Sequence, residues 1–176
     1  MGRSHTIRLT VNGTEQQLEL DSRTSILDAL RDHLQVMSVK KGCDHGQCGA
    51  CTVLVDGRRI VSCLALAASY DGSEVTTAEG LGTVDDLSPL QIAFVDRDAL
   101  QCGYCTPGQI CSASGMLSEA ANGMPSHVTD DVSSMAPVRL TRAEIQERMS
   151  GNLCRCGAYA NIAKAIENVA QQRGQA

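Results

Sequence analysis

The sequence predicts an α+β fold, in which a β-grasp domain over residues 1–80 is followed by an all-α four-helix domain over residues 81–176. Two hairpin signals separated by an amphipathic segment predict the first domain. Four helix-initiating sites, each before an apolar-periodic segment, predict the second. Each half also carries its own set of four cysteines, so we expect each to be organised around its own metal site.

Alternating apolar and polar residues predict the strands of the first half. Residues 6–20 alternate on both sides of Asn12-Gly13, a dipeptide that favours a two-residue hairpin turn. Asp56-Gly57 gives the same signal for a second hairpin, and residues 75–77 could close the sheet.

One helix is predicted between the two hairpins. Thr24-Ser25 precede apolar residues at helical spacing within residues 26–34. The Gly-rich segment KKGCDHGQCGAC, residues 40–51, follows this helix and is predicted to be a loop.

Serine, threonine and proline mark the helix starts of the second half, because they suit the N-cap and the first helical position. We expect residues 80–86 to be a linker and residues 121–139 to be an extended loop. The predicted helices begin at Ser88-Pro89, at Thr106-Pro107, at Thr141 with Glu144 completing a capping box, and near Tyr159.

Composition argues against several functional classes. The net charge is −5, and only three Tyr, one Phe and no Trp supply large rings, which disfavours nucleic acid as a partner. The apolar runs are too short to span a membrane. A strand pattern begins almost at once, so we expect no signal peptide and a cytoplasmic location, or a periplasmic one if a signal was trimmed or lies on a partner.

The first cysteine set has the spacing of a plant-type [2Fe–2S] ferredoxin. Its opening C-x4-C-x2-C run has a fourth cysteine further on. Interleaved glycines would let the backbone wrap the cluster and turn N–H groups towards the sulfurs. A Rieske centre is disfavoured because His45 has no second C-x2-H to accompany it. The proposed ligands are Cys43, Cys48, Cys51 and Cys63.

The second set combines a C-x2-C with a distant C-x-C: Cys102, Cys105, Cys154 and Cys156. Structural zinc is a serious alternative here, because C-x2-C pairs commonly bind zinc. Beside the first set, a second [2Fe–2S] cluster is favoured. The remaining Cys111 is predicted to be a small buried apolar residue.

These motifs make the chain resemble the small iron–sulfur subunit of the molybdenum hydroxylase family, also called the xanthine oxidase family. The resemblance covers nearly the whole chain, through KKGCDHGQCGACTVLVDGRR, QCGYCTPGQI and SGNLCRCGAY in that order. It implies a plant-type ferredoxin domain followed by a four-helix domain, with one [2Fe–2S] cluster in each. The long segment before the last cysteine pair is similar to that of bacterial aldehyde oxidoreductase iron–sulfur subunits.

The resemblance also implies partners and residue roles. The first set would lie nearer a medium subunit that binds FAD, and the second nearer a large subunit that binds the molybdopterin cofactor. Gln101 would contact the pterin, and Cys156 would be the point of electron entry. Substrate oxidation would then occur on the molybdenum subunit, and this chain would carry no catalytic residue.

Two other functions remain open at this point. The same subunit could serve a purine, N-heterocycle or carbon monoxide hydroxylase instead of an aldehyde oxidoreductase. Less favoured is a free ferredoxin-like carrier or a zinc-stabilised binding module. In each of these enzymes the pocket that selects the substrate would lie on another chain.

Overall fold

A five-stranded sheet and five helices make up the computed structural model, which describes residues 4–175 as a mixed α+β protein. The sheet order is β2-β1-β5-β3-β4. The strands are β1 (Ser4–Val11), β2 (Thr14–Asp21), β3 (Thr52–Val55), β4 (Arg58–Val61) and β5 (Glu74–Thr76).

Both predicted hairpins are confirmed. β1 and β2 are antiparallel around a turn in which Asn12 and Gly13 have φ angles of 49° and 79°. β3 and β4 are antiparallel around Asp56 and Gly57, with φ angles of 49° and 77°. Two successive positive φ angles match the twist of the strands, which explains why Asn-Gly and Asp-Gly occur here.

The strand predicted near residue 75 lies in the middle of the sheet. β5 pairs parallel with β1 and antiparallel with β3, so it joins the two hairpins. Val75 is fully buried at this junction. β5 comes last of the five strands in the sequence, and it connects the two hairpins in the sheet.

The helix predicted over residues 26–34 is α-helical only at its start and π-helical after that. Helix α1 spans Ile26–Asp28 and continues as a π-helical turn over Ala29–His33, in which the Leu34 N–H bonds to the Ala29 carbonyl. Ser25 caps its start, as its Oγ accepts from the Asp28 N–H at 3.1 Å. The apolar spacing predicted the buried face but not the π turn.

The four helices after residue 81 begin close to the predicted positions, and residues 122–140 contain no helix or strand. Ser88 caps the first in a reciprocal capping box with Gln91. Thr141 caps the third, its Oγ1 accepting from the Glu144 N–H at 3.3 Å. The helices are α2 (Pro89–Asp96), α3 (Thr106–Ala121), α4 (Arg142–Arg148) and α5 (Tyr159–Gln172).

Two of the predicted caps are wrong. Helix α3 starts one residue early, with Cys105 at the N-cap and no side-chain capping bond, so Thr106 is already helical. The Glu144 side chain does not return to the backbone at Thr141. Its carboxylate instead accepts from Ser126, Thr129 and Arg148, because these donors reach it in the interior.

Buried apolar side chains of residues 4–175 form two clusters. The first lies against the sheet and includes Leu9, Leu30 and Val53. The second lies among helices α2–α5 and includes Phe94 and Ile166. No helix in the part of the chain described here is long and apolar enough to cross a lipid bilayer.

Helix α3 packs against strands β3 and β4, and this brings the two halves into contact. A Cβ at Gly108 would lie 2.6 Å from the Gly49 carbonyl oxygen, so the backbones approach too closely for a larger residue. The Arg59 guanidinium spans the same contact and bonds both Glu119 carboxylate oxygens at 2.8 Å. The two cysteine sets lie on either side of this junction.

Candidate metal centres

Loops at one end of the sheet bring the four cysteines of the first set together. Cys43 and Cys48 lie in the loop before β3, Cys51 immediately precedes β3, and Cys63 lies in a 3-10 turn after β4. The backbone N–H of Cys43 lies 3.4 Å from Cys48 Sγ, and that of Cys48 lies 3.4 Å from Cys43 Sγ. The thiols of Cys51 and Cys63 are also in contact, so the set consists of two pairs.

Backbone N–H groups point towards the sulfurs, as the glycine pattern predicted. The Gln47 N–H lies 3.2 Å from Cys43 Sγ. N–H groups from His45, Cys48 and Gln47 lower the pKa of the Cys43 thiol to about 6 despite partial burial. Such donors stabilise a thiolate, which is the form that binds metal.

Burial has the opposite effect on Cys63. Together with contact with the Cys51 thiol, it raises the pKa of Cys63 to about 11. Gly46 lies beside this pair with a φ angle of 80°, and a Cβ there would clash with the Leu64 side chain. The loop before β3 therefore closes directly over the segment that follows Cys63.

The second set is assembled from both ends of the helical half. Cys105 lies at the start of α3, while Cys154 precedes α5. Their thiols are in contact. Cys102 and Cys156 are exposed at the surface.

Electrostatic surroundings differ between the two thiols in contact. Burial, together with the neighbouring Cys154 thiol, raises the pKa of Cys105 to about 12. Burial also acts to raise the pKa of Cys154, but N–H donors led by Ala158 at 3.5 Å outweigh it and lower that pKa. One thiol of the pair is therefore set up to lose its proton first.

A cavity of about 430 Å³ opens between the two sets. Cys102, Cys105 and Cys154 line it together with Cys48 of the first set. Arg155 also lines it and supplies a positive charge. Thiols from both sets thus face a common space.

The donors fit [2Fe–2S] chemistry. Each iron of such a cluster takes two cysteine thiolates, and six of the eight thiols occur as three contacting pairs. Among residues 4–175, no three His, Cys, Asp or Glu side chains are grouped around a point where one metal ion could be held. Paired thiols with N–H groups directed at sulfur are the environment that iron–sulfur clusters require.

The structure also places the other residues that the sequence analysis considered, and it confirms only the predicted burial of Cys111. Cys111 is 1% exposed on α3, and burial raises its pKa to about 12, so it is part of the core. His45 is exposed in its loop. Gln101 is exposed and immediately precedes the exposed Cys102. The nearby Lys41 ammonium pairs with Asp28 at 2.7 Å.

The structure adds residues that sequence reasoning missed. The Asn152 side chain is buried between the halves and bonds the Gly49 carbonyl at 2.9 Å. The Tyr159 hydroxyl accepts from the Cys154 N–H at 2.8 Å, and the Tyr104 hydroxyl donates to the Lys41 carbonyl at 2.7 Å. All three residues lie close to cysteines in the sequence, and this was the available signal. It did not indicate which groups these three side chains would bond.

Two family models cover almost the whole chain. The family "2Fe-2S iron-sulfur cluster binding domain" matches residues 9–80, and the family "[2Fe-2S] binding domain" matches residues 77–167. Together with the paired thiols, these matches define the class: this chain is an iron–sulfur protein of the [2Fe–2S] cluster-binding type.

Individual relatives narrow the class. The aldehyde oxidoreductase iron-sulfur-binding subunit PaoA of Escherichia coli O157:H7 is 60% identical over 164 residues, which are 93% of this chain and 71% of that one. The xanthine dehydrogenase iron-sulfur-binding subunit of the same organism is 40% identical over 161 residues, 92% of this chain and 91% of that one.

A solved structure agrees with these relatives. A chain of quinoline 2-oxidoreductase from Pseudomonas putida 86 superposes with a TM-score of 0.80 at 37% identity, covering 98% of this chain and 99% of that one. The chain belongs to the small iron–sulfur subunits of the molybdenum hydroxylase family. It is therefore a subunit associated with an oxidoreductase.

Proposed function

We propose that this chain is the electron-transfer subunit of a molybdenum–flavin aldehyde oxidoreductase and holds two [2Fe–2S] clusters. The observation that carries the proposal is the placement of two thiol sets on either side of one tight contact, with two thiols of the second set exposed. The bound clusters would supply one-electron carriers, so that a two-electron oxidation at molybdenum is passed on singly to flavin. The 60% identity to an aldehyde oxidoreductase subunit favours aldehydes as the substrate class.

The residues of this chain would hold the clusters and exclude water, with no catalytic residue among them. Paired contacts support assigning Cys43 with Cys48, and Cys51 with Cys63, to the two irons of one cluster. The contact between Cys105 and Cys154 supports assigning that pair to one iron of the second cluster. Cys102 and Cys156 would then bind the other iron. We place the domain boundary between residues 80 and 81, giving a β-grasp ferredoxin domain and a four-helix domain, because separate apolar clusters support that division.

Two partner subunits follow from this role. A molybdopterin-binding large subunit would face the exposed Cys102 and Cys156, where Gln101 is also exposed. An FAD-binding medium subunit would face the first set, where the apolar side chain of Leu64 is exposed beside Cys63. Such a complex would place this chain between the site of substrate oxidation and the flavin.

A hydroxylase for N-heterocycles is the second candidate. Its support is the relatives whose names include nicotine 6-hydroxylase and caffeine dehydrogenase, at 41% and 43% identity, and the superposition on quinoline 2-oxidoreductase. The lower identity ranks this candidate second. Activity of the native complex towards aromatic aldehydes and towards quinoline separates the two.

The cluster assignment is tested by metal content. The purified chain is expected to contain about four iron and about four acid-labile sulfide atoms, two of each per cluster. Cys63→Ala and Cys102→Ala are each expected to lose one of two EPR signals of the reduced chain. Cys111→Ala is the matched control, because that thiol is buried and belongs to neither set, and it should retain both signals. Finding one iron pair together with zinc would contradict the second cluster.

The pterin contact of Gln101 is tested in the assembled complex. Gln101→Ala is expected to slow reduction of the clusters by substrate and to leave both EPR signals and reduction by dithionite unchanged. Leu100→Ala, at the preceding and also exposed position, is the control and should behave as the wild type. Normal reduction by substrate in Gln101→Ala would refute the contact.

A further inference from the structure

Asn152 lies where the two cysteine-bearing regions meet. Its side chain is 6% exposed. Its Nδ2 donates to the Gly49 carbonyl at 2.9 Å, with Thr52 Oγ1 at 3.2 Å and the Gly108 carbonyl at 3.3 Å. Gly49 and Thr52 belong to the first half and Gly108 to α3, so one amide group connects both halves.

Asn152 is also held from the other side. The backbone carbonyl of Asn152 accepts from Gln109 Nε2 at 2.8 Å, and the Gln109 side chain is buried. A Cβ at Gly49 would meet the Asn152 side chain and backbone, so the position across from it tolerates only glycine. The buried Asn152 amide nitrogen is held by these hydrogen bonds and resists movement, because moving it would leave a buried donor unpaired.

The next residue connects the two thiol sets directly. The Leu153 N–H donates to the Cys48 carbonyl at 2.9 Å. Cys48 belongs to the first set, and Leu153 is bonded to Cys154 of the second. A run of covalent bonds interrupted by this one hydrogen bond therefore leads from the Cys48 sulfur to the Cys154 sulfur.

We propose that Asn152 is a positioning residue for electron transfer between the two clusters, which it serves by holding the Leu153–Cys48 hydrogen bond closed. The inference rests on the proposed function, since it requires a cluster on each thiol set. In the step concerned, one electron leaves the cluster of the second set, which is oxidised, and reduces that of the first, and no proton moves. Electron tunnelling weakens steeply as the gap between donor and acceptor widens, so loosening this hydrogen bond would slow the transfer.

Asn152→Leu is the direct test in the full chain with its clusters. Leucine has a similar size but donates no hydrogen bond, so the Gly49 and Gly108 carbonyls lose their amide donor. Pulsed EPR of the fully reduced protein measures the dipolar coupling between the two clusters, which falls with the cube of their separation. We expect a weaker coupling and slower electron transfer to the first cluster in this variant.

Arg59→Met is the matched control. Arg59 also crosses between the halves, through Glu119, Ser112 and the Arg148 carbonyl, but it contacts neither cysteine set. Urea unfolding of both variants measures the loss of stability from a weakened junction. We expect Arg59→Met to be destabilised and yet to keep the wild-type coupling, because the Leu153–Cys48 bond remains intact.

Asn152→Ser is the second variant, in case leucine prevents loading of both clusters. Serine fits the space and donates a single hydrogen bond, so its coupling should change in the same direction. Wild-type coupling in a loaded Asn152 variant, or an equal change in Arg59→Met, would overturn the inference while leaving two clusters and the proposed function in place. A wild-type chain with a single cluster would overturn the proposed function itself, and this inference with it.

Discussion

Replacing Arg148 with methionine is expected to lower the free energy of unfolding by about 3–5 kcal/mol, the cost of leaving a buried charge without its partner. The Arg148 side chain is 3% exposed, and its Nε donates to the Glu144 carboxylate at 2.9 Å. The Glu144 side chain is itself only 4% exposed. The guanidinium also donates to the Met124 carbonyl at 2.7 Å. Urea unfolding, followed by circular dichroism, measures the loss.

A surface ion pair provides the control. Arg142 bonds Glu167 at 3.0 Å, but its side chain is 40% exposed, so Arg142→Met should cost no more than about 1 kcal/mol. Pairing Arg148→Met with Glu144→Gln removes the unpaired charge and should recover part of the loss. Equal stabilities for Arg148→Met and Arg142→Met would contradict the assignment.

Acid should narrow the difference between the wild type and Arg148→Met. Burial acts to raise the pKa of Glu144, but bonds from Thr129, Ser126 and Arg148 outweigh it and hold that pKa below its ordinary value of 4.5. A carboxyl with a lowered pKa in the folded state stabilises the fold above its unfolded pKa, and this stabilisation is lost as the pH falls. The two stability curves should therefore approach each other below about pH 4.5.

Removal of iron is expected to unfold at least part of the chain. The cysteines of the first set lie in loops and a short 3-10 turn, and Cys154 and Cys156 lie in the segment between α4 and α5. Metal–thiolate bonds would tie these segments to one another, so the free energy of cluster binding is also free energy of folding. Anaerobic chelation, followed by visible absorbance and far-ultraviolet circular dichroism, measures both losses.

The single-cluster variants serve as controls for chelation. Cys63→Ala should lose ordered structure in the first half and retain it among the helices, where a separate apolar cluster persists. Restoring iron and sulfide should recover the wild-type spectrum. A chelated protein with an unchanged circular dichroism spectrum would show that the apolar clusters alone maintain the fold.

Local signals in the sequence predicted most of the fold. Asn12-Gly13 and Ser88 specify their turn and cap through their own backbone preferences, so neighbouring residues suffice to identify them. The prediction failed for Glu144, because its carboxylate accepts hydrogen bonds from Ser126, Thr129 and Arg148 and does not return to the local N–H. Tertiary contacts overrode the local preference there.

The cysteines of the candidate site could be identified from spacing, but the residues between them could not. Asn152 bonds Gly49 and Gly108, which lie far from it in the sequence, and nothing beside Asn152 indicates either partner. The contact between Cys48 and Leu153 uses only backbone atoms, so no side chain marks it. Long-range packing sets these features, and the packing becomes visible only in the folded chain.

The central position of β5 also constrains how the first site is made during synthesis. The hairpins β1–β2 and β3–β4 do not pair with each other, and β5 alone joins them. All four cysteines of the first set leave the ribosome before β5 does, so for a time they are attached to two unconnected hairpins. Long-range strand pairing is slow, so the thiols must stay reduced until residues 74–76 emerge. Delivery of iron and sulfide is therefore expected after the sheet has closed.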